Sequence, residues 1–408
     1  MTPPQSVRGM QSLLGEEADR LHAVAAAFHR VRRLFGFKRV EVPVLEHTAV
    51  FARTMGETTD VVSKEMYSFE DRSGESVTMR PEFTAGICRA YLSQGWQQYA
   101  PLKVATHGPA FRYERPQKGR FREFHQLDAE IIGAGEAAAD VELLAFADQL
   151  LRELGIGGVT LQLNTLGDAP TREAWRKALI DHFRGSVDKL SEDSRDRLER
   201  NPLRILDSKD PRDRPIADSA PSIDEYLTPE AGDFFAQVTG GLDAAGVKWQ
   251  RNSRLVRGLD YYRHTAFEFV TDRLGAQGTV LAGGRYDGLI EALGGPHTPA
   301  VGWAAGIERL AMLIDAPEPE RPDVAVVAEN REREAEAVRL GMKLREAGIA
   351  VELFITASPR KRYDRAMKTR PGAIASLDIR NGIPSHGFKL LDAENPNAVR
   401  AHEMFDAQ

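Results

Sequence analysis

Apolar positions first recur at helical spacing between residues 11 and 36. There Leu21, Val24, Phe28, Val31 and Phe35 share one face, and Gly36 supplies a stop. The period then drops to two. Val40, Val42 and Val44 alternate with Glu41, Pro43 and Leu45, which predicts a strand whose Pro43 belongs at an edge, a bulge or an interface. Residues 76–90 predict a strand turning into a helix. Residues 101–113 and 121–133 predict two strands joined by a charged loop, a long antiparallel hairpin. A helix is expected over 137–154 and a strand at Val159, Leu161 and Leu163. Strands return at 255–270 and 277–284, and 302–315 predicts a helix.

Residues 166–245 have another character. They are polar and mostly helical, with a stretch rich in proline and aspartate at 207–222, and they predict an inserted domain. The core is then discontinuous, made of 1–165 and 246–316. A short proline-rich linker, 316–322, closes it. Beyond the linker, Val324–Ala328 predicts a strand. The helix at 331–347 puts Ala337, Leu340, Gly341 and Leu344 on one face, and Val351–Ile355 predicts a second strand. This βαβ pattern implies a small α/β domain over 323–408.

A chain of 408 residues is too long for one ordinary core. With 42% apolar and 28% charged residues its profile is globular, and no apolar run approaches the roughly 18 residues needed to span a bilayer. The first residues lack a secretory pattern. The single cysteine, Cys88, excludes a disulfide framework or a cysteine zinc site within one chain, and the simplest expectation is a cytoplasmic location. A net charge of −6 argues against a histone-like nucleic-acid binder but leaves room for a local basic patch.

Five stretches carry candidate chemistry. From Phe111 to Gln126 run Arg112, Arg115, Lys118, Arg120 and Arg122, with Gly119 allowing a tight turn. A charged loop is often only solvated. Arg112, however, ends an apolar strand, where a fixed guanidinium fork suits phosphate. Gln126 and Glu130 lie four apart on the next strand and share a face, on which Arg112 of the partner strand can also lie. Taken alone, that pair fits an ordinary surface strand better than a site. Arg257-Gly-Leu-Asp-Tyr-Tyr262 offers a polar pocket with an aromatic wall. Gly283-Gly-Arg-Tyr-Asp-Gly288 is either a ligand-approaching turn or a tight loop, and is neither a dinucleotide fingerprint nor a P-loop. The small residues of Gly302-Trp-Ala-Ala-Gly-Ile-Glu-Arg309 would let a helix pack closely on a sheet, with Arg309 ending the stretch.

Together with Arg80-Pro-Glu-Phe-Thr84 and the insertion segment at 201–209, these stretches resemble, in order, the signatures of histidyl-tRNA synthetases over about residues 6–315. The resemblance implies an α+β fold: a class II synthetase antiparallel sheet of six or seven strands flanked by helices, with a helical insertion and a C-terminal α/β domain of the anticodon-binding kind. It also implies a homodimer acting on L-histidine, ATP with Mg2+, and tRNA(His). By position, Arg112 resembles the arginine on the ATP α-phosphate and Arg257 a second catalytic arginine there. Glu114 would lie near the adenine amine, Phe124 would stack on adenine, and Arg309 would face the γ-phosphate. Glu82, Thr84 and Gln126 would hold the histidine α-amino group. Glu130 and Tyr262 would read the imidazole, with Tyr261 and Tyr286 as walls. Arg115, Gln117 and Arg122 resemble positions that approach the tRNA acceptor end, and the resemblance brings no protein-bound metal.

Two departures stand out. Phe83 occupies a place where the family usually has glycine, and can either crowd the amino-acid pocket or pack away from it. Residues 358–408 lack the family's usual apolar strand, with Ser376-Leu-Asp-Ile-Arg380 in its place and a basic segment at 360–370 before it. A non-catalytic relative, the regulatory subunit of ATP phosphoribosyltransferase, shares the core. It usually lacks the C-terminal domain and has eroded nucleotide-side residues, whereas this chain keeps Arg112, Arg257 and Arg309.

Overall fold

A computed structural model of the chain describes residues 3–56, 59, 61–256, 262–275 and 278–406. It divides into two compact units, Met1–Pro317 and Glu318–Gln408.

The first unit carries β1 (Lys38–Arg39), β2 (Leu45–His47), β3 (Tyr67–Glu70), β4 (Ser76–Met79), β5 (Leu102–Phe111), β6 (Glu123–Ile132), β7 (Thr160–Thr165), β8 (Trp249–Arg251), β9 (Arg263–Val270), β10 (Thr279–Arg285) and β11 (Ala300–Gly306). Eight of them form one sheet in the order β1-β5-β6-β11-β10-β9-β7-β8. The six inner strands are antiparallel neighbours, and the two short outer strands pair in parallel. β2, β4 and β3 make a separate three-stranded sheet.

Strand alternation gives the large sheet two different faces. On one, Leu127, Ala129 and Ile131 of β6 and Trp303 of β11 join Leu161 and Leu163. Helices Glu16–Leu34, Ala137–Glu153 and Pro229–Ala244 cover that face with Phe28, Phe146, Val238 and Leu242. Phe146 stacks on Phe28 and Phe35 at 5.8 and 5.3 Å between ring centres. Truncating such a residue costs about 3–5 kcal/mol. The even-numbered positions of β6 point the other way, and there the strand is polar: Gln126, Asp128 and Glu130.

The 166–245 stretch is helical as expected, and its parts pack in different places. Trp175, Leu179 and Phe183 of the helix Ala169–Arg184 enter a second buried cluster with Phe83, Ile87, Tyr262 and Tyr286. The helix Pro229–Ala244 lies instead on the first cluster.

Three expectations are corrected. The ladder at Lys38–Arg39 ends before residues 40–44, although Val40 and Val42 are buried. Pro43 has no N–H to donate, and the Val42 carbonyl accepts instead from Arg80 Nη1 at 2.8 Å. Residues 302–306 are strand, not helix. β11 sits between β6 and β10, and only Ile307–Ala311 turns helical. Alanine-rich composition suggested a helix, but Gly302, Ala304 and Gly306 are small because they line the polar face of the sheet. The first helix spans Glu16–Leu34, starting later than the expected residue 11.

The second unit is an α/β layer with sheet order β13-β12-β14-β15, formed by β12 (Val324–Ala328), β13 (Val351–Phe354), β14 (Ala373–Arg380) and β15 (Ile383–Leu390). The three parallel strands bury Val324, Val326, Ala373 and Ala375 against helices Glu334–Glu346 and Pro396–Asp406. Ser376–Arg380 is thus the outer half of an interior strand.

Candidate active site

The polar face of the large sheet floors a cavity of about 390 Å³. Its wall includes Glu82, Thr84, Arg112, Glu114, Phe124 and Gln126 from the first half of the chain. Tyr262, Tyr286, Gly302 and Arg309 come from the second half. Residues quoted from stretches some two hundred positions apart therefore meet because β6, β11 and β10 are adjacent.

At one end lies a buried acidic group. Thr84 Oγ1 donates to Glu130 Oε1 at 2.6 Å, and Tyr286 donates its phenol proton to Glu130 Oε2. Gly302 lies directly across from Glu130 in the ladder, and a Cβ there would meet Oε2 at 1.4 Å. Glycine is therefore required at residue 302 by the neighbouring carboxylate. Burial pushes the Glu130 carboxyl up to about 8. Glu82 caps the first turn of the helix Thr84–Ser93, accepting from Thr84 N at 2.6 Å and Ala85 N at 2.9 Å. Burial raises its pKa, and those bonds and Arg112 pull against the shift.

Tyr286 reaches this end because the Gly283–Gly288 turn is anchored. Arg285, at 1% side-chain exposure, is ion-paired with the equally buried Asp140 and donates to the Ala134 carbonyl at 2.9 Å. A buried pair of this kind is tolerated because its hydrogen bonds are satisfied. Gly284 leaves room for the Tyr262 ring, which a Cβ would meet at 2.7 Å.

At the other end cations gather. Arg112 Nε donates to the Pro81 carbonyl at 2.9 Å, which fixes the guanidinium 5.4 Å above the Phe124 ring. Arg309 is held by the Gly119 and Thr279 carbonyls at 3.1 and 2.8 Å. Burial and the nearby Arg120 lower its pKa, so this pocket favours an anion. Glu114 pairs with Arg120 at 2.8 Å. Glu308 receives the His125 backbone N–H at 2.8 Å and its ring Nδ1 at 2.9 Å, and this bond raises the His125 pKa.

Arg115, Gln117 and Arg122 do not line the cavity and belong to the loop beside it. Gln117 and Arg120 exchange backbone hydrogen bonds around Lys118-Gly119, and Gly119 takes a φ of +72° there. Arg122 stacks on Tyr113 at 3.7 Å. Arg257 and Tyr261 lie outside the described residues. Phe83 packs away from the cavity: it is 1% exposed, and Arg80 stacks on its ring at 4.0 Å.

Three residues escaped the sequence reading. Asp128 sits between Gln126 and Glu130 on the same strand face, and simple period-two counting would have found it. Arg120 was counted only as a loop charge. Lys209 lines the cavity from the inserted stretch; it ends the 201–209 segment, which carried the resemblance without assigning this lysine to the site.

Residues 9–310 match the sequence model of the histidyl-tRNA synthetase family. The chain belongs to that family. A histidine–tRNA ligase of Novosphingobium aromaticivorans is 65% identical over 394 residues, covering 95% of this chain and 94% of its own. The ligase of Gluconobacter oxydans is 54% identical, covering 90% and 89%. The apo crystal structure of the Staphylococcus aureus histidyl-tRNA synthetase superposes with a TM-score of 0.77 at 28% identity, covering 94% and 97%. These relatives extend through the second unit, so family membership reaches beyond the matched core. The likeness also fixes the fold class as that of a class II synthetase. Among the described residues no helix is long and apolar enough to cross a membrane.

Proposed function

We propose that this chain is a histidine–tRNA ligase, which joins histidine to ATP as histidyl-adenylate and then passes the histidyl group to the 3′ end of tRNA(His). The observation that carries the reading is one cavity with a buried carboxylate–phenol end and an arginine end. A zwitterionic amino acid with a polar ring fits the first, and a nucleotide polyphosphate fits the second.

In the first step the histidine carboxylate attacks the α-phosphorus of ATP, the bond to the β-phosphate oxygen breaks, and pyrophosphate leaves. Negative charge builds on the equatorial oxygens. Arg112, pinned by Pro81, is positioned to meet it without reorganising, and Arg257 is assigned to the same phosphate. Arg309 takes the leaving end, Phe124 the adenine face and Glu114 the adenine amine. Glu130, aimed by Thr84 and Tyr286, accepts from the imidazole, with Tyr262 and Tyr261 completing the wall. Glu82, Thr84 and Gln126 take the α-ammonium. An amino acid lacking the ring nitrogens would strand these buried groups, a penalty that can reach about 10⁴-fold. Mg2+ enters as the complex of ATP, and the carboxylates Glu268 and Glu308 of the cavity wall are oxygen donors of the kind it accepts.

In the second step a terminal ribose hydroxyl of the tRNA attacks the activated carbonyl and AMP leaves. Arg115, Gln117 and Arg122, outside the cavity on the hairpin loop, suit phosphate contacts with the acceptor end. The second unit suits the tRNA body. Arg360, Lys361, Arg365, Lys368 and Arg370 offer charge, while Arg362 is an internal anchor bonded to the Ala328 carbonyl at 2.9 Å and to Glu334 at 2.6 Å. Two copies would make the working enzyme. Val44, Leu45 and Phe69, exposed around the three-stranded sheet, are apolar surface of the kind a partner subunit covers.

The test is charging of tRNA(His) transcript with labelled histidine. Acid-stable histidine on the RNA that depends on ATP supports the reading. A protein that binds histidine but never charges RNA would favour the regulatory-subunit alternative.

A further inference from the structure

Three carboxyl groups crowd together at the amino-acid end, Glu82 on the cavity wall and Asp128 and Glu130 buried beneath it, and their hydrogen-bond donors are divided unequally. Glu82 receives two backbone N–H groups, and Glu130 receives two hydroxyls. Asp128 is 0% exposed, and neither of its oxygens accepts a bond from an N–H or O–H group of the described residues. Arg80, whose charge favours an ionised Asp128, directs Nε to the Pro109 carbonyl and Nη1 to those of Val42 and Pro43 rather than to Asp128. Cys88 and Tyr286 also face this group, and burial drives both away from ionisation. An ionised carboxylate without donors in a dry interior is costly by several kcal/mol. A neutral carboxyl there needs only an acceptor for its proton.

Glu130 is that acceptor. The two side chains follow each other on one face of β6, both buried, and the negative charge of Glu130 adds to burial in holding Asp128 above the usual carboxylate range. We propose that Asp128 is a positioning residue that stays a neutral acid and donates its proton to Glu130, so that when the amino acid binds it is Glu130, not Asp128, that carries the negative charge. With Thr84 and Tyr286, Asp128 would complete a set of three donors on Glu130, fixing its orientation. No acceptor capacity of Asp128 itself is then spent on the substrate's ammonium group. The inference rests on the proposed histidine-binding reading of Glu130, and adds to it which carboxyl carries the charge.

The test compares Asp128→Asn with Asp128→Ala in the full chain, by histidine-dependent ATP–pyrophosphate exchange. The Asn amide keeps an N–H donor and cannot ionise. Asp128→Asn should therefore stay within about threefold of the parent protein in KM for histidine. Asp128→Ala should raise that KM by about ten- to a hundredfold while the KM for ATP holds, as expected for losing a hydrogen bond to a charged group. If Asp128→Asn is as damaged as Asp128→Ala, the charge of Asp128 is itself used and the proposal fails. If neither moves, Asp128 does not act through Glu130 and it also fails. Infrared difference spectra between parent and Asp128→Asn protein supply a readout that needs neither activity nor Asp128→Ala to fold. A protonated-carboxyl band lost in the variant supports the proposal, and a lost carboxylate band overturns it. A parent protein without histidine-dependent exchange would instead overturn the functional reading, leaving the infrared result to decide the protonation.

Discussion

Gly302 and Glu130 face each other on adjacent strands, and the carboxylate of one fills the space a side chain would need on the other. Glycine at 302 is what allows an acidic side chain to lie flat across the sheet beneath the cavity. Gly302→Ala should push Glu130 off Thr84 and Tyr286, destabilising the fold by about 1–3 kcal/mol. Its KM for histidine should rise well before its KM for ATP. Varying each substrate separately in pyrophosphate exchange checks this, and an unchanged KM for histidine would count against the placement of Glu130.

Arg112→Ala should lower the rate of adenylate formation by about 10²–10³-fold and weaken ATP as well. Arg257→Ala should cost about 3–4 kcal/mol in the same step and leave histidine binding largely intact. Single-turnover adenylate formation beside histidine calorimetry separates the two. Near-normal adenylation in either variant would remove that arginine from the phosphate.

Ligand-free stability should fall with rising pH because of Glu130. Burial raises its carboxyl in the folded protein from 4.5 to about 8. Between those values the folded chain holds a proton that the unfolded chain has released, so folding takes up a proton and is disfavoured as pH climbs. The loss ends once pH passes about 8, where both states are ionised. Glu130→Gln should flatten this part of the slope in thermal melts and weaken histidine more than ATP. A variant with the parent's slope would show that Glu130 is not the group responsible.

Lys209 is expected to touch phosphate at the cavity mouth. Its segment is pinned by Asp213, a fully buried carboxylate that accepts from Ser191 N and Oγ at 2.7 Å. The Ser194 and Ser208 hydroxyls add bonds of 2.6 Å. Lys209→Ala should raise the KM for ATP by roughly fivefold, the scale of a partly exposed ion pair. Asp213→Asn should do the same indirectly and also lower the melting temperature. An unaltered KM for ATP in Lys209→Ala would leave the lysine as a surface residue.

Much of this was legible in the chain because it is local. The 111–126 hairpin shows its period, its charges and its turn glycine, and the ladder from Leu102–Ile132 to Phe111–Glu123 follows. The proline-rich linker falls where the first unit ends. What stayed hidden depends on neighbours across the sheet. The small residues of 300–306 mimic helix composition, and only the adjacency of Glu130 explains them as strand. Asp128 looked like an ordinary polar strand residue until its burial beside two other carboxyls was known. Lys209 needed the tertiary fold of the inserted stretch, and Arg362, one of a visibly basic run, turned out to be 2% exposed.

The central claim is that the carboxylate–phenol end selects histidine while the arginine end activates it on ATP. ATP–pyrophosphate exchange, run with each of the standard amino acids in turn, tests both halves at once. Exchange is expected with histidine alone, lowered by about 10²–10³-fold in Arg112→Ala and shifted to much higher histidine concentrations in Glu130→Gln. Exchange driven equally by other amino acids, or none with histidine in a folded protein, would contradict it.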